Sequence, residues 1–407
     1  MINTEKEQQM KIPRAENNVS REIISERVAL FNNTGVDLPH TTHYSIDPAA
    51  TTGNIENFIG VAQVPVGLAG PLLINGEHAQ GEFLVPLATT EGALVASYSR
   101  GMKAITDSGG CRTHIRSDFF LWPYMFRTRT LDAAIEFAQW CEQHFQEIAR
   151  EMEATTRHGR LLGMRTTILD QGVLVYFEMN TGDAMGANMV VGAGDAACKW
   201  IAKEAPGIEP NGWWGLDMGK KAVELRTMRG MGKSVIAEVV LPEPLLQKLF
   251  RAGPEDIVGW HNAMQRCWMD MCSHGRQCMF ANGLAALYIA CGQDVAYVPD
   301  ATNGRLGVSV APDGGLRVTA DVPCLIVGTV GGGCGLPTQK ECLRMLGCEG
   351  AGSARKFAEI AAAVALAGEI SLMGAVSANE FVGAHERLGR NRPTADRAEE
   401  PSVVSQS

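Results

Sequence analysis

The chain has 407 residues, of which 45% are apolar and 20% charged, a composition typical of a soluble globular protein with room for two or three domains. The formal net charge of −9 argues against nucleic-acid binding as the main function, because proteins of that class usually present a basic surface. The eleven cysteines contain no CxxC pair, so we expect small core residues rather than a disulfide framework or a metal site.

Neither the first residues nor the longest apolar stretch indicates a membrane. The first 18 residues are charged and lack an apolar core of signal-peptide length, so we expect a cytoplasmic protein. The apolar stretch from Phe357 onward is interrupted by Glu359 and Glu369. Two carboxylates would be costly in lipid, so this stretch predicts a buried helix and no membrane partner.

The first predicted elements are a helix and a hairpin. Residues 20–32 read as a capped helix, and residues 64–87 alternate like two strands around Asn75-Gly76. A second helix is predicted to begin near Thr89 or Thr90.

The middle of the chain reads as a separate small unit. Residues 130–154 are helical by their apolar spacing, residues 160–179 give two strands across a tight turn, and residues 183–205 return to helix. This order predicts a split βαβ arrangement. From about Val223 onward, strands at 234–242 and 315–325 and two Ala-rich helices predict a larger α+β domain.

Two glycine-rich segments are candidate ligand sites. TGDAMGAN (181–188) and GTVGGGCG (328–335) both allow backbone to approach a ligand closely, and the first opens a predicted helix whose N-terminal amides favour phosphate. GAGDAA (192–197) fits a dinucleotide-binding pattern, but it follows helix-forming residues instead of a strand, which favours tight helix packing.

A few polar residues occur in unusual contexts, and each one alone has an ordinary structural explanation. Glu91 would suit a first-turn partner of a helix dipole, Asp294 a turn, Lys220 a solvated loop and His385 a helix cap. Taken singly, these residues leave the structural and functional interpretations open.

Seven short motifs together carry a family resemblance. ENFIG, PVGLAGPL, ATTEGALVAS, TGDAMGANM, GKSV, IACGQD and GTVGGG occur in this order. Over about residues 20–392 the chain resembles the soluble catalytic part of the 3-hydroxy-3-methylglutaryl-CoA (hydroxymethylglutaryl-CoA) reductase family. The resemblance implies an α+β fold with these parts: an N-terminal helical segment (1–50), a large substrate-binding domain around a buried Ala-rich helix (51–120 and 222–392), an inserted ferredoxin-like nucleotide-binding domain (121–210), an active-site loop (211–221) and a disordered tail (393–407).

The family's catalytic residues fall on residues of matching type. By motif they are Glu91, Lys220, Asp294 and His385, with Asn282 orienting the lysine. Reduction of a thioester to an alcohol takes two hydrides and passes through a hemithioacetal and an aldehyde. Lys220 would stabilise the oxyanion, His385 would protonate the departing CoA thiolate, and Glu91, coupled to Asp294, would deliver a proton to the alcohol oxygen.

The resemblance also implies a nucleotide and an oligomer. NADPH is expected because Thr156-Arg157 matches a Ser-Arg pair that recognises the 2′-phosphate; if Arg157 is only a solvated loop residue, NADH is equally expected. The implied cofactor-binding residues are Thr156, Arg157, Asp183, Met185, Gly186, Asn188, Gly328, Gly331, Gly332 and Gly333. ENFIG resembles a dimerisation element, which implies a homodimer or a dimer of dimers with the active site at the subunit interface.

The chain departs from the family around the acyl group. The family pairs the free carboxylate and hydroxyl with an arginine before a proline, a serine and an aspartate, where this chain has Trp122, Trp213 and Gly219. The implied substrate-binding residues are Lys221, Arg100, Trp122 and Trp213. Asp217, or Arg112 and Arg116, would compensate if the loops were re-registered.

The function expected from the sequence has one leading form and several alternatives. Hydroxymethylglutaryl-CoA, with coenzyme A as part of the substrate, is the leading substrate and mevalonate the product. The alternative is the same chemistry on a less polar acyl thioester. Two other classes are a doubly wound NAD-dependent dehydrogenase and a non-catalytic acyl-CoA-binding relative.

Overall fold

The protein is described from a computed structural model that covers residues 11–170, 172–215, 227 and 230–377. Lys220, Lys221, His385 and the predicted tail (393–407) lie outside these described residues. The helices are α1 (Arg21–Asn32), α2 (Leu94–Asp107), α3 (Leu131–Gln143), α4 (Phe145–Glu153), α5 (Ala187–Glu204), α6 (Glu243–Phe250), α7 (Pro254–Asp270), α8 (Phe280–Ala290), α9 (Val298–Ala301), α10 (Pro337–Met345) and α11 (Ala354–Ser377). Short 3-10 turns lie at Pro48–Thr51, Val295–Tyr297 and Gly332–Gly335.

The strands form a hairpin and one larger sheet. They are β1 (Val66–Asn75), β2 (Gln80–Ala88), β3 (Arg112–Thr128), β4 (Arg160–Leu169), β5 (Gly172–Asn180), β6 (Ile208–Gly215), β7 (Met231–Leu241), β8 (Arg305–Val310) and β9 (Leu316–Leu325). The larger sheet has the order β4-β5-β3-β7-β9-β8, with β6 also paired to β3. All its pairings are antiparallel. The mixed α+β class predicted from the sequence is confirmed.

The N-terminal elements follow their local signals, with one exception. Ser20 caps α1 through its side chain, and the hairpin joins Asn75 to Gln80 as predicted. The second helix begins at Leu94, four residues later than Thr90, so that prediction was wrong. Ala93 takes a left-handed conformation with φ 70°, which ends the helical path on its N-terminal side. Glu91 therefore lies in a turn, where its N–H donates to the Thr89 hydroxyl at 3.0 Å.

The helix predicted over residues 130–154 is two helices. The break is at His144, whose backbone leaves helical geometry at φ −105° and ψ 22°. Its ring Nδ1 lies 2.9 Å from the carbonyl oxygen of Trp140. A side chain that binds the carbonyl of the preceding turn competes with continuation of the helix.

Strand β3 links two hydrophobic cores. Its first half, from Arg112 to Phe120, pairs with β7, and its second half, from Phe120 to Arg127, pairs with β5. One core gathers the hairpin, α2, α8, α11 and strands β7 to β9, and the other gathers α3 to α5 with the second half of β3 and its neighbours. The strand was not predicted from the sequence, because FFLWPYMF lacks a clear alternation and contains a proline.

The apolar helix α11 belongs to the first core. It is long and apolar enough to cross a membrane, yet 83% of its most apolar window is buried inside the protein, as in a core helix. Glu359 is fully buried and accepts N–H groups of Glu77, His78 and Ala79 in the hairpin turn. Eight of the eleven cysteines are also buried, as expected for small core residues.

Candidate active site

Three loops meet around one cleft of about 830 Å³, here called the glycine cleft. Its lining includes Trp122, Met185, Gly186, Asn188, Asp294, Gly332 and Gly333. They come from TGDAMGAN, from CGQD and from GTVGGG, together with the middle of β3. Segments that together span more than two hundred residues of the chain, from Trp122 to Gly333, are therefore brought to one site.

The two glycine-rich loops lie against each other through their backbones. The carbonyl of Asp183 accepts N–H groups of Thr329 at 2.8 Å and Val330 at 3.3 Å, and Ala184 forms a parallel bridge with Val330. A Cβ added at Gly328 would lie 2.4 Å from the backbone nitrogen of Met185. Gly328 is therefore required for this contact and not for flexibility.

Gln293 joins the CGQD loop to the same contact, and sequence reasoning missed it. Its side-chain amide donates to the carbonyl of Gly328 at 2.9 Å and accepts the N–H of Gly328 at 2.9 Å. Both groups are buried. A primary amide is both donor and acceptor, so it can satisfy both main-chain groups of one residue. The only sequence signal was its place between Gly292 and Asp294.

The start of α5 is suited to an anion. The helix begins at Ala187, directly after Gly186 in a left-handed conformation with φ 94°, so TGDAMGAN does open a helix as predicted. The first amides of a helix have no partner within the helix and attract phosphate. Gly332 also lines the cleft, and a Cβ at this position would meet no atom within 4 Å, so it leaves open space. These features fit the phosphates and sugars of a dinucleotide.

Asp183 connects the nucleotide loop to α11. Its carboxylate accepts the N–H of Gly352 at 2.7 Å and of Ala354 at 3.1 Å, at the start of that helix. The side chain that the resemblance assigned to the cofactor thus binds main-chain donors of another segment.

Thr156 and Arg157 lie beside the nucleotide loop. The Thr156 hydroxyl accepts the N–H of Gly159 at 3.1 Å and lies 3.3 Å from the sulfur of Met189, one of the residues lining the glycine cleft. Arg157 is exposed and forms no ion pair with any residue that the structure describes.

GAGDAA lies inside α5 and packs against the sheet. A Cβ at Gly194 would lie 2.2 Å from the hydroxyl of Tyr124, which donates to the carbonyl of Val191. The helix-packing interpretation is confirmed. The antiparallel sheet also rules against a doubly wound dehydrogenase, whose sheet is mostly parallel.

The predicted proton-transfer residues fall in two places. Asn282 lies at the start of α8, and its side-chain amide is 3.5 Å from a carboxylate oxygen of Glu91. Asp294 lies beyond the other end of that helix, where its carboxylate accepts the N–H of Ala296 at 3.0 Å. The helical stretch from Asn282 to Ala290 covers about 12 Å. Within one chain, α8 therefore separates the Glu91–Asn282 pair from Asp294.

Arg100 and Arg116, one of the two candidate replacement arginines, have protein partners. Arg100 donates to the hydroxyl and carbonyl oxygens of Ser371 on α11 at 2.9 to 3.1 Å. Arg116 donates to Ser234 and Asp321.

Arg116 also precedes Trp122 by six residues of extended strand, about 20 Å, and Arg112 lies farther still. Within one chain, neither arginine lies at the glycine cleft. Asp217, the other candidate for compensation, lies outside the described residues.

Trp122 and Trp213, the two tryptophans at positions where the chain departs from the family, lie in different places. Trp122 is 5% exposed and lines the glycine cleft. Trp213 lies opposite Phe126 in the β3–β6 pair, with its ring 6.5 Å from that of Tyr124. Of the two, only Trp122 is among the residues that line the glycine cleft.

Two glycine-rich loops that meet at a helix N-terminus are the arrangement expected of a protein that binds the phosphates of a nucleotide. The family model described as hydroxymethylglutaryl-coenzyme A reductase matches residues 18–390. The 3-hydroxy-3-methylglutaryl-coenzyme A reductase of Pyrococcus horikoshii is 40% identical over 375 residues, covering 89% of this chain and 90% of that protein. The same enzyme of Methanocaldococcus jannaschii is 39% identical over 384 residues, covering 91% and 92%. The chain belongs to the hydroxymethylglutaryl-coenzyme A reductase family.

The fold has a solved counterpart. A structure of the class II 3-hydroxy-3-methylglutaryl-CoA reductase from Streptococcus pneumoniae, bound to NADPH in open conformations, superposes with a TM-score of 0.66. It is 19% identical and covers 89% of this chain and 100% of that chain.

Proposed function

We propose that the protein reduces an acyl-CoA thioester to an alcohol with NADPH, and that hydroxymethylglutaryl-CoA is the leading substrate, giving mevalonate and CoA. The observation that carries the proposal is the meeting of TGDAMGAN, CGQD and GTVGGG around the glycine cleft in a member of this reductase family. NADH remains the second candidate for the nucleotide.

Each candidate site residue has a distinct task in the proposed reaction. When bound, the nucleotide supplies hydride. The amides at the start of α5 hold its phosphates, and Arg157 binds the 2′-phosphate that distinguishes NADPH from NADH. Lys220 stabilises the negative charge that develops on the carbonyl oxygen. His385 protonates the departing thiolate, and Glu91 gives a proton to the alcohol oxygen.

We infer that the complete site needs a second copy of the chain. Glu91 and Asn282 lie at one end of α8 and Asp294 beyond the other, about 12 Å or more apart along the helix. Hydrogen-bonded proton transfer requires groups within about 3 Å of the reacting atom. A homodimer, or a dimer of dimers, that faces the Glu91 end of one protomer toward the Asp294 end of its partner would assemble all the groups.

The finer division of the fold is part of the proposal. The second half of β3, α3 with α4, β4, β5, α5 and β6 follow the chain order of a split βαβ unit, and the antiparallel strand order is β6-β3-β5-β4. This order supports a ferredoxin-like nucleotide-binding domain, with its last strand ending at Gly215 instead of residue 210. We also propose a cytoplasmic location, which agrees with eight buried free thiols.

A less polar acyl group is the alternative substrate, favoured by one observation. Trp122 occupies the cleft where the family resemblance implies an arginine, and Arg112 and Arg116 are too far along β3 to replace it. A substrate carboxylate buried there without a partner would cost several kcal/mol. Lys221, outside the described residues, is the remaining candidate partner for that carboxylate.

The test is oxidation of NADPH and NADH, followed at 340 nm, with hydroxymethylglutaryl-CoA and a panel of other acyl-CoA thioesters. Turnover of hydroxymethylglutaryl-CoA alone supports the leading substrate, and turnover of less polar thioesters supports the alternative. Trp122→Arg should then shift preference toward the carboxylated substrate, whereas Trp214→Arg, on an exposed ring outside the cleft, should not. Binding of acyl-CoA without oxidation of either nucleotide would contradict the proposal and indicate a non-catalytic relative.

A further inference from the structure

Glu369 is a carboxylate that the proposed chemistry does not use. It lies in the middle of α11 and is fully buried. One of its oxygens accepts the N–H of Cys278 at 2.9 Å and of Met279 at 2.5 Å, directly before α8. The other oxygen is buried and has no hydrogen-bond partner among the described residues. A buried carboxylate forms strong hydrogen bonds to main-chain N–H groups, so Glu369 restrains the position of Cys278 and Met279.

A second side chain grips the same segment. The hydroxyl of Tyr98, on α2, donates to the carbonyl of Met279 at 2.5 Å. The Tyr98 ring is fully buried, and added Cβ atoms at Gly283 and Gly368 would lie 2.4 and 2.6 Å from it. Both main-chain groups of Met279 are therefore held, its N–H from α11 and its carbonyl from α2.

This segment determines where the Glu91–Asn282 pair lies. Asn282 is the third residue of α8, within one turn of Met279, and Glu91 lies three residues before the first residue of α2. Any movement of the start of α8 relative to α2 changes the 3.5 Å separation between the Asn282 amide and the Glu91 carboxylate. A displacement of about 1 Å in such a pair is enough to lower a catalytic rate substantially.

We propose that Glu369 is a positioning residue for the Glu91–Asn282 pair, acting through the main chain of Cys278 and Met279. The inference rests on the proposed function, because it assigns Glu369 a part in the same site. Glu369 does not contact the substrate in this scheme; it keeps the start of α8 in register with the start of α2.

The charge of Glu369 gives the proposal a pH signature. Burial raises the pKa of Glu369 to about 7, and its main-chain donors oppose the rise. Tyr98 and Cys278 face it, and burial together with the Glu369 charge raises the pKa of both phenol and thiol, so neither titrates near neutrality. Arg100 donates a hydrogen bond to Ser371, which lies on the same helix as Glu369. On the adjacent α7, burial lowers the pKa of His261.

The sign of the pH effect differs between activity and stability. A charged carboxylate accepts main-chain N–H groups more strongly than a neutral one, so the pair is held best above pH 7 and the rate rises through that pH. The pKa in the folded state lies above the unfolded value, so the contribution of Glu369 to stability is full below pH 4.5 and is lost as pH rises through about 7. Between pH 6 and 8 the rate should therefore rise while stability falls.

The experiment compares the wild type with Glu369→Gln and with Glu359→Gln as the matched control. Glu359 lies on the same helix, is equally buried and also accepts main-chain N–H groups, but it binds the distant hairpin turn. A free aldehyde is used as substrate, so that protonation of a thiolate does not contribute to the pH profile. We expect Glu369→Gln to lower kcat at pH 8 about tenfold, with KM unchanged, and to remove the rise near pH 7. Glu359→Gln should keep the rise.

Hydrogen exchange supplies a readout that does not depend on turnover. Protection of amides 278–282, corrected for intrinsic rates, should increase from pH 6 to pH 8 in the wild type and stay flat in Glu369→Gln. If that variant does not fold, Tyr98→Phe serves instead: it should lower kcat and protection while keeping the pH dependence.

Two results would overturn the assignment: an unchanged pH profile in Glu369→Gln, or an equal loss in Glu359→Gln. If the wild type reduces no aldehyde or acyl-CoA, the proposed function fails, and the exchange data still decide whether Glu369 holds the start of α8.

Discussion

Replacing Gly328 with alanine should separate the two glycine-rich loops. The added Cβ would lie 2.4 Å from the nitrogen of Met185 and 2.8 Å from the carbonyl carbon of Ala184, which are backbone atoms that cannot rotate away. Overpacking of this kind costs about 1–3 kcal/mol. The shift also strains the two hydrogen bonds from Gln293, each of which contributes about 1 kcal/mol. If both hydrogen bonds are lost, we expect the free energy of unfolding to fall by about 4 kcal/mol, half of it from overpacking and half from the hydrogen bonds.

The matched control is Gly335→Ala in the same loop, where the added Cβ meets no atom within 4 Å and φ is not positive. Urea unfolding measures stability, and NADPH fluorescence measures nucleotide binding. Gly328→Ala should raise the Kd for NADPH at least tenfold, about 1.4 kcal/mol, while Gly335→Ala stays near the wild type. Wild-type stability and binding in Gly328→Ala would refute the view that the contact of these loops forms the cleft.

Three further substitutions test the proposed roles. Lys220→Ala should abolish hydride transfer to the thioester and leave CoA binding largely intact, because the lysine acts on charge that appears in the transition state; near-normal turnover would remove that role. His385→Gln should slow thioester reduction far more than reduction of a free aldehyde, and equal losses would indicate a structural histidine. Arg157→Ala should raise the KM for NADPH by about tenfold or more and leave that for NADH unchanged, as steady-state kinetics would show. No change for either nucleotide would indicate that Arg157 is a solvated loop residue.

Much of the fold is predictable where local signals agree with the tertiary structure. The hairpin, α1, β7 and β9 carry periodic patterns and α11 is a long apolar stretch, and all lie close to where the sequence predicts them. The errors came from features that the apolar pattern of the sequence does not reveal. Ala93 is left-handed although alanine favours helix, and His144 ends α3 by binding a carbonyl oxygen of its own preceding turn. Strand β3 was missed because it is buried by two different cores in succession.

The motifs of the candidate site are predictable and their mutual arrangement is not. The sequence points to TGDAMGAN, CGQD and GTVGGG, and to Glu91 with Asn282, because their residue types suit phosphate binding and proton transfer. It gives no sign that Gln293 joins two loops or that Asp183 binds the start of α11, since both roles depend on which main-chain groups come within 3 Å. Nor does it show that a helix separates Glu91 from Asp294.

Strand β3 makes the two cores depend on each other during unfolding. Its 17 residues supply a pairing partner to β7 on one side of Phe120 and to β5 on the other. If either core melts, the strand loses half of its ladder and the other core loses an edge that had been covered. Such a chain should unfold in one cooperative transition, and a fragment cut within β3 would expose a strand edge prone to aggregation. Because β3 is continuous, a slip of one residue in its pairing would turn Trp122 away from the glycine cleft. The lining of the cleft therefore depends on the register of the sheet.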